Sequence, residues 1–144
     1  MSDPSQIIKT LDLRPHPEGG WYRETWRDQP PAGNGRGHGT AIYYLLEQGQ
    51  RSHWHQVDAV EIWHHYAGAP LTLEVYRDGA PVRTAALGPD VLADQSPQVI
   101  VPAHAWQSAH ADRGWTLVGC TVSPAFEFAG FELAPEGWRP PVDG

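Results

Sequence analysis

Short strand-like runs, separated by glycines and prolines, follow one another along most of this chain. The 144 residues include 15 glycines, 14 prolines, 7 tryptophans and 5 tyrosines. Aromatic residues favour strands, whereas glycine and proline favour turns. We count about seven to nine runs of strand length at regular spacing, which is typical of an antiparallel sandwich or barrel. The chain is therefore predicted to be an all-β protein with a single domain over residues 1–144.

A hairpin and a helix are the local elements that the residues specify best. Two strand-like runs flank Asp78 and Gly79, a pair that favours a tight hairpin turn. A short N-terminal helix is predicted over residues 4–11, because Asp3 can cap it and Pro4 suits its first position.

Two connecting segments carry weaker signals. The glycines of residues 29–40 lack the spacing of a phosphate-binding loop, so we predict a flexible connection between strands. Residues 123–134 hold Phe126, Phe128 and Phe131, whose spacing fits either a strand or a single helical turn.

The charge balance excludes some classes of partner. The net charge of −7 and the pI of about 5.5 argue against nucleic acid and anionic membranes. We find neither a signal peptide nor the ~20 apolar residues that a membrane span needs, so we expect a cytoplasmic protein. The single cysteine, Cys120, lies in an apolar run and is predicted to be a buried small hydrophobe.

Two histidines and an acid lie close together in residues 53–68. His53 and His55 are separated by one residue and would point to the same face of a strand, since side chains alternate. Glu61 has the same parity if the strand resumes in register after a turn. Imidazole and carboxylate groups are ligands for zinc, iron, manganese, nickel and copper. The stretch therefore predicts a metal-binding pocket inside a barrel.

This stretch resembles the first of the two motifs of the cupin superfamily, G-x5-H-x-H-x3-4-E-x6-G. The matching residues are Gly49, His53, His55, Glu61 and Gly68. The spacing departs from the motif twice. Three residues precede His53 where the motif has five, and five separate His55 from Glu61 where it has three or four.

The second cupin motif, G-x5-P-x-G-x2-H-x3-N, is represented by the phrase VPAHAWQSA. Pro102 matches, His104 stands at the glycine position, and Gln107 stands at the position of the metal-binding histidine. An amide therefore replaces one of the four ligands that the resemblance implies, and His104 offers a further ligand from this motif.

Longer phrases identify the chain more closely as a member of the fifth cupin-domain family, a group of small cupins. They are PHPEGGWYRETWR, IYYLLEQGQRSHWHQVDAVEIWHHYAG, VPAHAWQ and GWTLVGCTVSPAFEFAGFEL. The resemblance implies a double-stranded β-helix, or jelly-roll barrel, and a homodimer. It implies no particular reaction, because the family has none established and is similar in fold to sugar-nucleotide epimerases, isomerases and metal-dependent dioxygenases.

Two interpretations of the site remain open. In the first, a divalent transition metal is bound by His53, His55, Glu61 and Gln107. In the second, the same four side chains form hydrogen bonds to a small polar metabolite, for example a carbohydrate derivative, in a metal-free pocket.

Other residues extend the predicted pocket. Its apolar walls are predicted to be Tyr43, Trp63 and Trp106, and His65 shares the parity of Glu61. Arg23 is the candidate anchor for an anionic ligand such as a sugar phosphate or a carboxylic acid.

The pocket predicts a small-molecule-binding protein and leaves open whether it is an enzyme. Isomerisation or epimerisation would need a base near pH 7, and His53 or His55 is the candidate, with Tyr43 as the acid partner. A sensor or store would bind its ligand unchanged. A dioxygenase would use the metal site of two histidines and a glutamate.

Overall fold

The computed structural model describes residues 3–33 and 35–141. Within these ranges there is one α-helix, α1 (Pro4–Thr10), and there are three 3₁₀ turns, at Pro31–Gly33, Val91–Ala93 and Phe128–Gly130. The strands are β1 (Arg14–Pro15), β2 (Trp21–Arg27), β3 (Thr40–Leu46), β4 (Arg51–Val57), β5 (Val60–Gly68), β6 (Leu71–Tyr76), β7 (Arg83–Leu87), β8 (Gln98–Val101), β9 (Trp106–His110), β10 (Thr116–Ser123) and β11 (Phe131–Leu133). In the described part of the chain, every helix is too short or too polar to cross a membrane.

Helix α1 begins as the sequence predicts. Asp3 accepts a hydrogen bond from the backbone N–H of Ser5 over 3.0 Å, and Pro4 occupies the first helical position. A side-chain cap of this kind stabilises a helix by roughly 0.5–2 kcal/mol. The helix ends at Thr10, with Leu11 as its C-cap, one residue before the predicted end.

The strands form two antiparallel sheets. The six-stranded sheet has the order β1-β2-β3-β10-β5-β8, and the five-stranded sheet has the order β11-β4-β9-β6-β7. β10 pairs with β3 on one side and with β5 on the other, which explains its nearly continuous apolar sequence. β6 and β7 form the predicted hairpin, in which Gly79 has a φ of 83°, in the left-handed region that tight turns use.

Alternate side chains of the two sheets fill the space between them. Large members of this core are Tyr44, Leu46, Trp63, Leu71, Leu73, Val118 and Cys120. Complete burial of one large apolar side chain stabilises the fold by roughly 1.5–3 kcal/mol. The core therefore joins the sheets face to face, and Cys120 is buried as predicted.

A bulge in β4 changes the predicted direction of His53. Across the β4–β9 pair, Ser52 lies opposite Ala109 and His55 lies opposite Gln107, so β4 has one more residue than β9 over this interval. An extra residue of this kind shifts the alternation of side chains. Ser52 and His55 are both buried, whereas His53 bonds to Pro135 of the C-terminal segment. The prediction that His53 and His55 share a face is therefore wrong.

The alternation along β3 also differs from the prediction. Tyr44 belongs to the core between the sheets, and only 1% of its surface is exposed. Tyr43 is on the opposite, outer face, where its ring centroid lies 6.4 Å from that of Tyr66. Tyr43 is therefore not a wall of the interior, and its neighbour in sequence takes that position.

The two connecting segments, residues 29–40 and 123–134, both contain defined structure. The first contains the turn Pro31–Gly33 and is anchored by Arg36, whose guanidinium donates to both carboxylate oxygens of Asp58 over 2.7 and 3.0 Å. The second contains both structures that its spacing allows, since the turn Phe128–Gly130 leads directly into β11.

Candidate functional site

A cavity of about 200 Å³ lies against the inner face of the six-stranded sheet. Strands β2, β3, β5 and β10 supply most of its walls. Its lining residues are His16, Tyr22, Glu24, Thr40, Ile42, Glu61, Cys120, Val122, Phe126 and Phe128. Apolar and aromatic groups thus surround a few polar ones, a composition that small-molecule sites commonly have.

Glu61 is held in this cavity by a chain of hydrogen bonds that joins the two sheets. The indole N–H of Trp63 donates to Oε1 of Gln107 over 2.7 Å. The Nε2 amide of Gln107 donates in turn to Oε1 of Glu61 over 2.9 Å. Glu61 and Trp63 share a face of β5 because they are two residues apart, and Gln107 reaches them from β9.

The position of Glu61 changes its acidity. Burial disfavours the charged carboxylate and raises the pKa of Glu61 from 4.5 to about 7, although the nearby His55 and the amide of Gln107 act in the opposite direction. The negative charge of Glu18 raises this pKa further. Near pH 7 this carboxyl group can therefore either accept or donate a proton.

Glu18 is a second buried carboxyl group, beside two imidazoles. It accepts a hydrogen bond from the hydroxyl of Ser52, and one of its oxygens lies 3.4 Å from Nδ1 of His16 and 3.5 Å from Nε2 of His55. Burial raises the pKa of Glu18, and the interactions with His16, Ser52 and Tyr44 only partly oppose this effect.

Both imidazoles have a defined orientation. The backbone N–H of Glu18 donates to Nδ1 of His16, so the neutral His16 ring carries its proton on Nε2. His55 has the opposite tautomer, because its Nδ1 lies 2.7 Å from the carbonyl oxygen of His53 and must donate to it. Burial lowers the pKa of His16 and of His55, which favours neutral rings.

The turn before β2 places Glu18 in the interior. Gly19 and Gly20 have φ values of 110° and 78°, and a Cβ on Gly19 would overlap the carbonyl oxygen of Arg51. The hydroxyl of Tyr44 donates to the carbonyl oxygen of Gly19.

The sequence analysis did not predict four of the interior polar groups, namely Glu18, His16, Ser52 and Tyr44. The pair of glycines was the available signal, since glycine often marks a close approach of two backbone segments.

Four of the predicted site residues face the barrel interior, namely His55, Glu61, Trp63 and Gln107. Of these, Glu61 lines the cavity directly. Trp63 and Gln107 form the hydrogen-bond chain that holds Glu61, so Trp63 supports the carboxylate and is not an apolar wall.

The other four predicted site residues lie outside the barrel interior; they are Arg23, Tyr43, His53 and Trp106. Arg23 pairs with Tyr43 across β2 and β3, and its guanidinium donates to the carbonyl oxygen of Leu11 over 3.2 Å. Trp106 lies on the outer face of the five-stranded sheet, where its ring centroid is 4.7 Å from that of Trp138. Arg23 therefore cannot anchor a ligand in the interior, and Trp106 cannot be a wall of it. His53 and Tyr43 are excluded from the interior by the strand geometry described above.

Two further histidines take structural positions. Nε2 of His65 lies 3.1 Å from the carbonyl oxygen of Ala69, at the end of β5. His104 is exposed and has a φ of 68°, in the left-handed region that favours glycine. This φ explains why the cupin motif has a glycine at this position.

The predicted metal ligands do not form a metal centre. Oε1 of Gln107, the oxygen that would bind a metal, accepts the indole N–H of Trp63, and His53 faces away from the interior. Over residues 3–33 and 35–141, no three histidine, cysteine, aspartate or glutamate side chains are grouped so that they could hold a metal ion. The donor set therefore does not fit the metal that the resemblance implies.

The rim of the cavity is tied to the end of β2 and to the loop before β3. Phe126 and Phe128 form part of the wall, and Phe128 is 57% exposed. The guanidinium of Arg27 donates to the carbonyl oxygen of Phe126 over 2.8 Å, and that of Arg36 donates to the carbonyl oxygen of Ala125 over 2.6 Å. These contacts place the two aromatic rings over the cavity.

Two facing antiparallel sheets with a polar pocket between them define a cupin-type jelly-roll barrel. A family model described as Cupin superfamily (DUF985) matches residues 5–134. The chain belongs to this family, and the jelly-roll fold predicted from the resemblance is confirmed.

Solved structures agree with this assignment. Protein SO0799 from Shewanella oneidensis is 38% identical, with a TM-score of 0.87 over 93% of this chain and 85% of that one. A hypothetical protein from Leishmania major is 34% identical, with a TM-score of 0.82 over 91% and 86%. A mutant of oxalate decarboxylase from Bacillus subtilis is 11% identical, with a TM-score of 0.65 over 85% of this chain and 30% of that one, and shares the fold alone. No curated protein matches the chain.

Proposed function

We propose that this protein binds one small, uncharged, hydroxyl-bearing metabolite inside the barrel, for example a single sugar ring or a short polyol. The observation that carries this proposal is the carboxyl group of Glu61, which faces a cavity between apolar and aromatic walls. The cavity of about 200 Å³ is smaller than the sites of about 300–1,000 Å³ that take drug-sized ligands, so it suits a small metabolite.

The charges of the cavity support an uncharged ligand. The titratable side chains of its lining are those of His16, Tyr22, Glu24, Glu61 and Cys120, and the lining has no arginine or lysine. Glu24 is already paired with Arg27 over 2.7 Å, so an anion would meet the buried carboxyl group of Glu61 without a cation to pair with, which is unfavourable in a buried site. A hydroxyl group can donate to ionised Glu61 or accept from its protonated form.

A proton-transfer enzyme is the second candidate function. Glu61 has a pKa of about 7, and the imidazole of His16 faces the same cavity. Isomerisation or epimerisation requires a base and a second proton-transferring group that both reach the same small ligand. In this proposal Glu61 takes the role of the base that the sequence suggested for His53 or His55. No metal takes part in the step.

The binding proposal is tested by native mass spectrometry of freshly purified protein, followed by calorimetric titration with monosaccharides and polyols of four to six carbons. We expect one retained or titrated molecule per chain. Glu61→Gln should weaken its binding about tenfold or more, because hydrogen bonds to charged groups contribute about 1.5–3 kcal/mol.

Glu132→Gln is the matched control, because Glu132 also accepts a glutamine amide, that of Gln56, but on the outside of the barrel. The Glu132→Gln variant should bind the titrated metabolite with the affinity of the wild type. Equal affinities in both variants, or failure of every probe to bind, would contradict the proposal. Conversion of a bound probe into its isomer by the wild type but not by Glu61→Gln would favour the enzyme.

We also propose that a second copy of this chain is a partner, as the cupin resemblance implies. The outer face of the six-stranded sheet exposes Val60, Tyr66 and Ile100 by 40%, 53% and 56%. Large exposed apolar side chains on one sheet face commonly mark an interface.

A further inference from the structure

A second cleft lies on the outer face of the five-stranded sheet, separate from the barrel interior. Its volume is about 650 Å³, within the range of about 300–1,000 Å³ for small-molecule sites. β4 and β6, the β6–β7 turn and residues 137–141 enclose it. The side chains that determine its chemistry are those of Arg51, His53, Trp54, Glu74, Trp138 and Arg139.

The bulge in β4 builds this cleft. It turns His53 and Trp54 outwards, where both hold the C-terminal segment against the sheet. Nε2 of His53 lies 3.0 Å from the carbonyl oxygen of Pro135, and the backbone N–H of Ala134 donates to the carbonyl oxygen of Trp54 over 2.9 Å. The ring of Trp138 then packs against Trp54 at a centroid distance of 5.9 Å and an angle of 76°. Two indole rings are thus fixed in one wall.

The charges of the cleft differ from those of the whole chain, whose net charge is −7. Two arginines, Arg51 and Arg139, border it, and Glu74 is the acidic residue of its lining. Arg27 and Arg36 bind carboxylates elsewhere in the protein. Among the described residues, neither Arg51 nor Arg139 forms a comparable ion pair. Their guanidinium groups therefore remain available for a ligand.

We propose that this cleft binds a small oxyanion carried on a flat ring, such as a ring-bearing phosphate or carboxylate. The guanidinium groups of Arg51 and Arg139 hold the anion, since a guanidinium matches the paired oxygens of phosphate and carboxylate. Trp138, which is partly exposed, packs against the ring, because aromatic rings attract one another through stacked and edge contacts. Trp54 is only 6% exposed and holds Trp138 in place from below. The interior pocket, which has no arginine or lysine in its lining, has a different specificity.

Calorimetric titration of the full chain with phenyl phosphate, inorganic phosphate and phenol tests this proposal. Phenyl phosphate should bind saturably at one site, and both of its fragments should bind about tenfold more weakly or not at all. Arg51→Gln and Arg139→Gln should each weaken phenyl phosphate binding about tenfold, as expected for loss of a charged hydrogen bond. Benzoate in place of phenyl phosphate identifies which oxyanion the cleft prefers.

Arg14→Gln is the matched control, because Arg14 is exposed, lies on β1 of the six-stranded sheet, away from the cleft, and carries the same charge. Its affinity for phenyl phosphate should remain within about twofold of the wild type. Equal weakening in all three variants would show general attraction of an anion to positive charge and would overturn the proposal. Absence of saturable binding by phenyl phosphate and benzoate would also overturn it. Unchanged thermal midpoints confirm that the variants are folded.

Discussion

At the scale of single residues, the interior contains two carboxyl groups that the fold keeps away from water. Glu18 and Glu61 each have a raised pKa because burial disfavours their charged forms, and the charge of Glu18 raises the pKa of Glu61. Such groups make the folded state less stable when they ionise. Two such groups in a site that apolar residues could fill favour a role in binding or proton transfer.

The raised pKa of Glu61 predicts how stability depends on pH. The unfolded chain loses this proton near 4.5, whereas the folded chain keeps it up to about 7. Between these values the folded state binds more protons, so the free energy of unfolding falls as pH rises. A rise of the pKa from 4.5 to about 7 corresponds to about 3 kcal/mol of free energy of unfolding.

We therefore predict that Glu61→Gln is more stable than the wild type at pH 8 by about 3 kcal/mol and equally stable at pH 4. Glutamine stays neutral and still offers an oxygen to the amide of Gln107. Urea unfolding at several pH values measures this difference. Glu132→Gln, on the protein surface, should follow the wild-type curve at every pH. Parallel curves for Glu61→Gln and the wild type would show that Glu61 ionises freely in the folded state.

At the scale of elements, the turn between β1 and β2 carries Glu18 into the interior and depends on Gly19. We predict that Gly19→Ala destabilises the protein more than Gly49→Ala, measured by urea unfolding. Both glycines have positive φ, so each substitution strains the backbone by roughly 1–2 kcal/mol. A Cβ at Gly19 also overlaps the carbonyl oxygen of Arg51, whereas one at Gly49 meets open space. This overlap adds roughly 1–3 kcal/mol.

Equal losses of stability in the two alanine variants would contradict this packing of the turn against β4.

The pair Gly19 and Gly20 is also the place where analysis of the sequence failed to find part of the site. Alternation identifies strands, but a turn has no period that reveals where its side chains point. Glu18 and His16 therefore could not be assigned to the interior from their spacing.

The strands themselves show which inferences alternation supports. It identified Glu61 and Trp63, since β5 is regular over these residues, whereas Gln107 was identified by its match to a motif position. It failed at His53, because a bulge adds one residue to β4 and nothing in the sequence HWH marks its position. It also failed at Tyr43, where two adjacent tyrosines fit either face and only the pairing with β2 and β10 determines which is buried.

At the scale of the whole molecule, each sheet has one face in the barrel and one face outside, and the two outer faces differ. The outer face of the five-stranded sheet is covered in part by the C-terminal segment, through the contacts of Trp54 and Trp106 with Trp138. The outer face of the six-stranded sheet exposes Val60, Tyr66 and Ile100. The second face is therefore the one on which a partner can bury apolar surface.

We predict that the wild type is a dimer and that Ile100→Lys converts it to a monomer, as measured by light scattering after size-exclusion chromatography. A stable interface buries about 800 Å² on each partner, and a lysine at its centre would have to lose its hydration without an opposite charge to pair with. Val82→Lys is the control, because Val82 is also partly exposed, by 38%, but lies on the β6–β7 turn of the other sheet. It should remain dimeric. A monomeric wild type, or a dimer that persists in Ile100→Lys and dissociates in Val82→Lys, would place the partner surface elsewhere on the molecule.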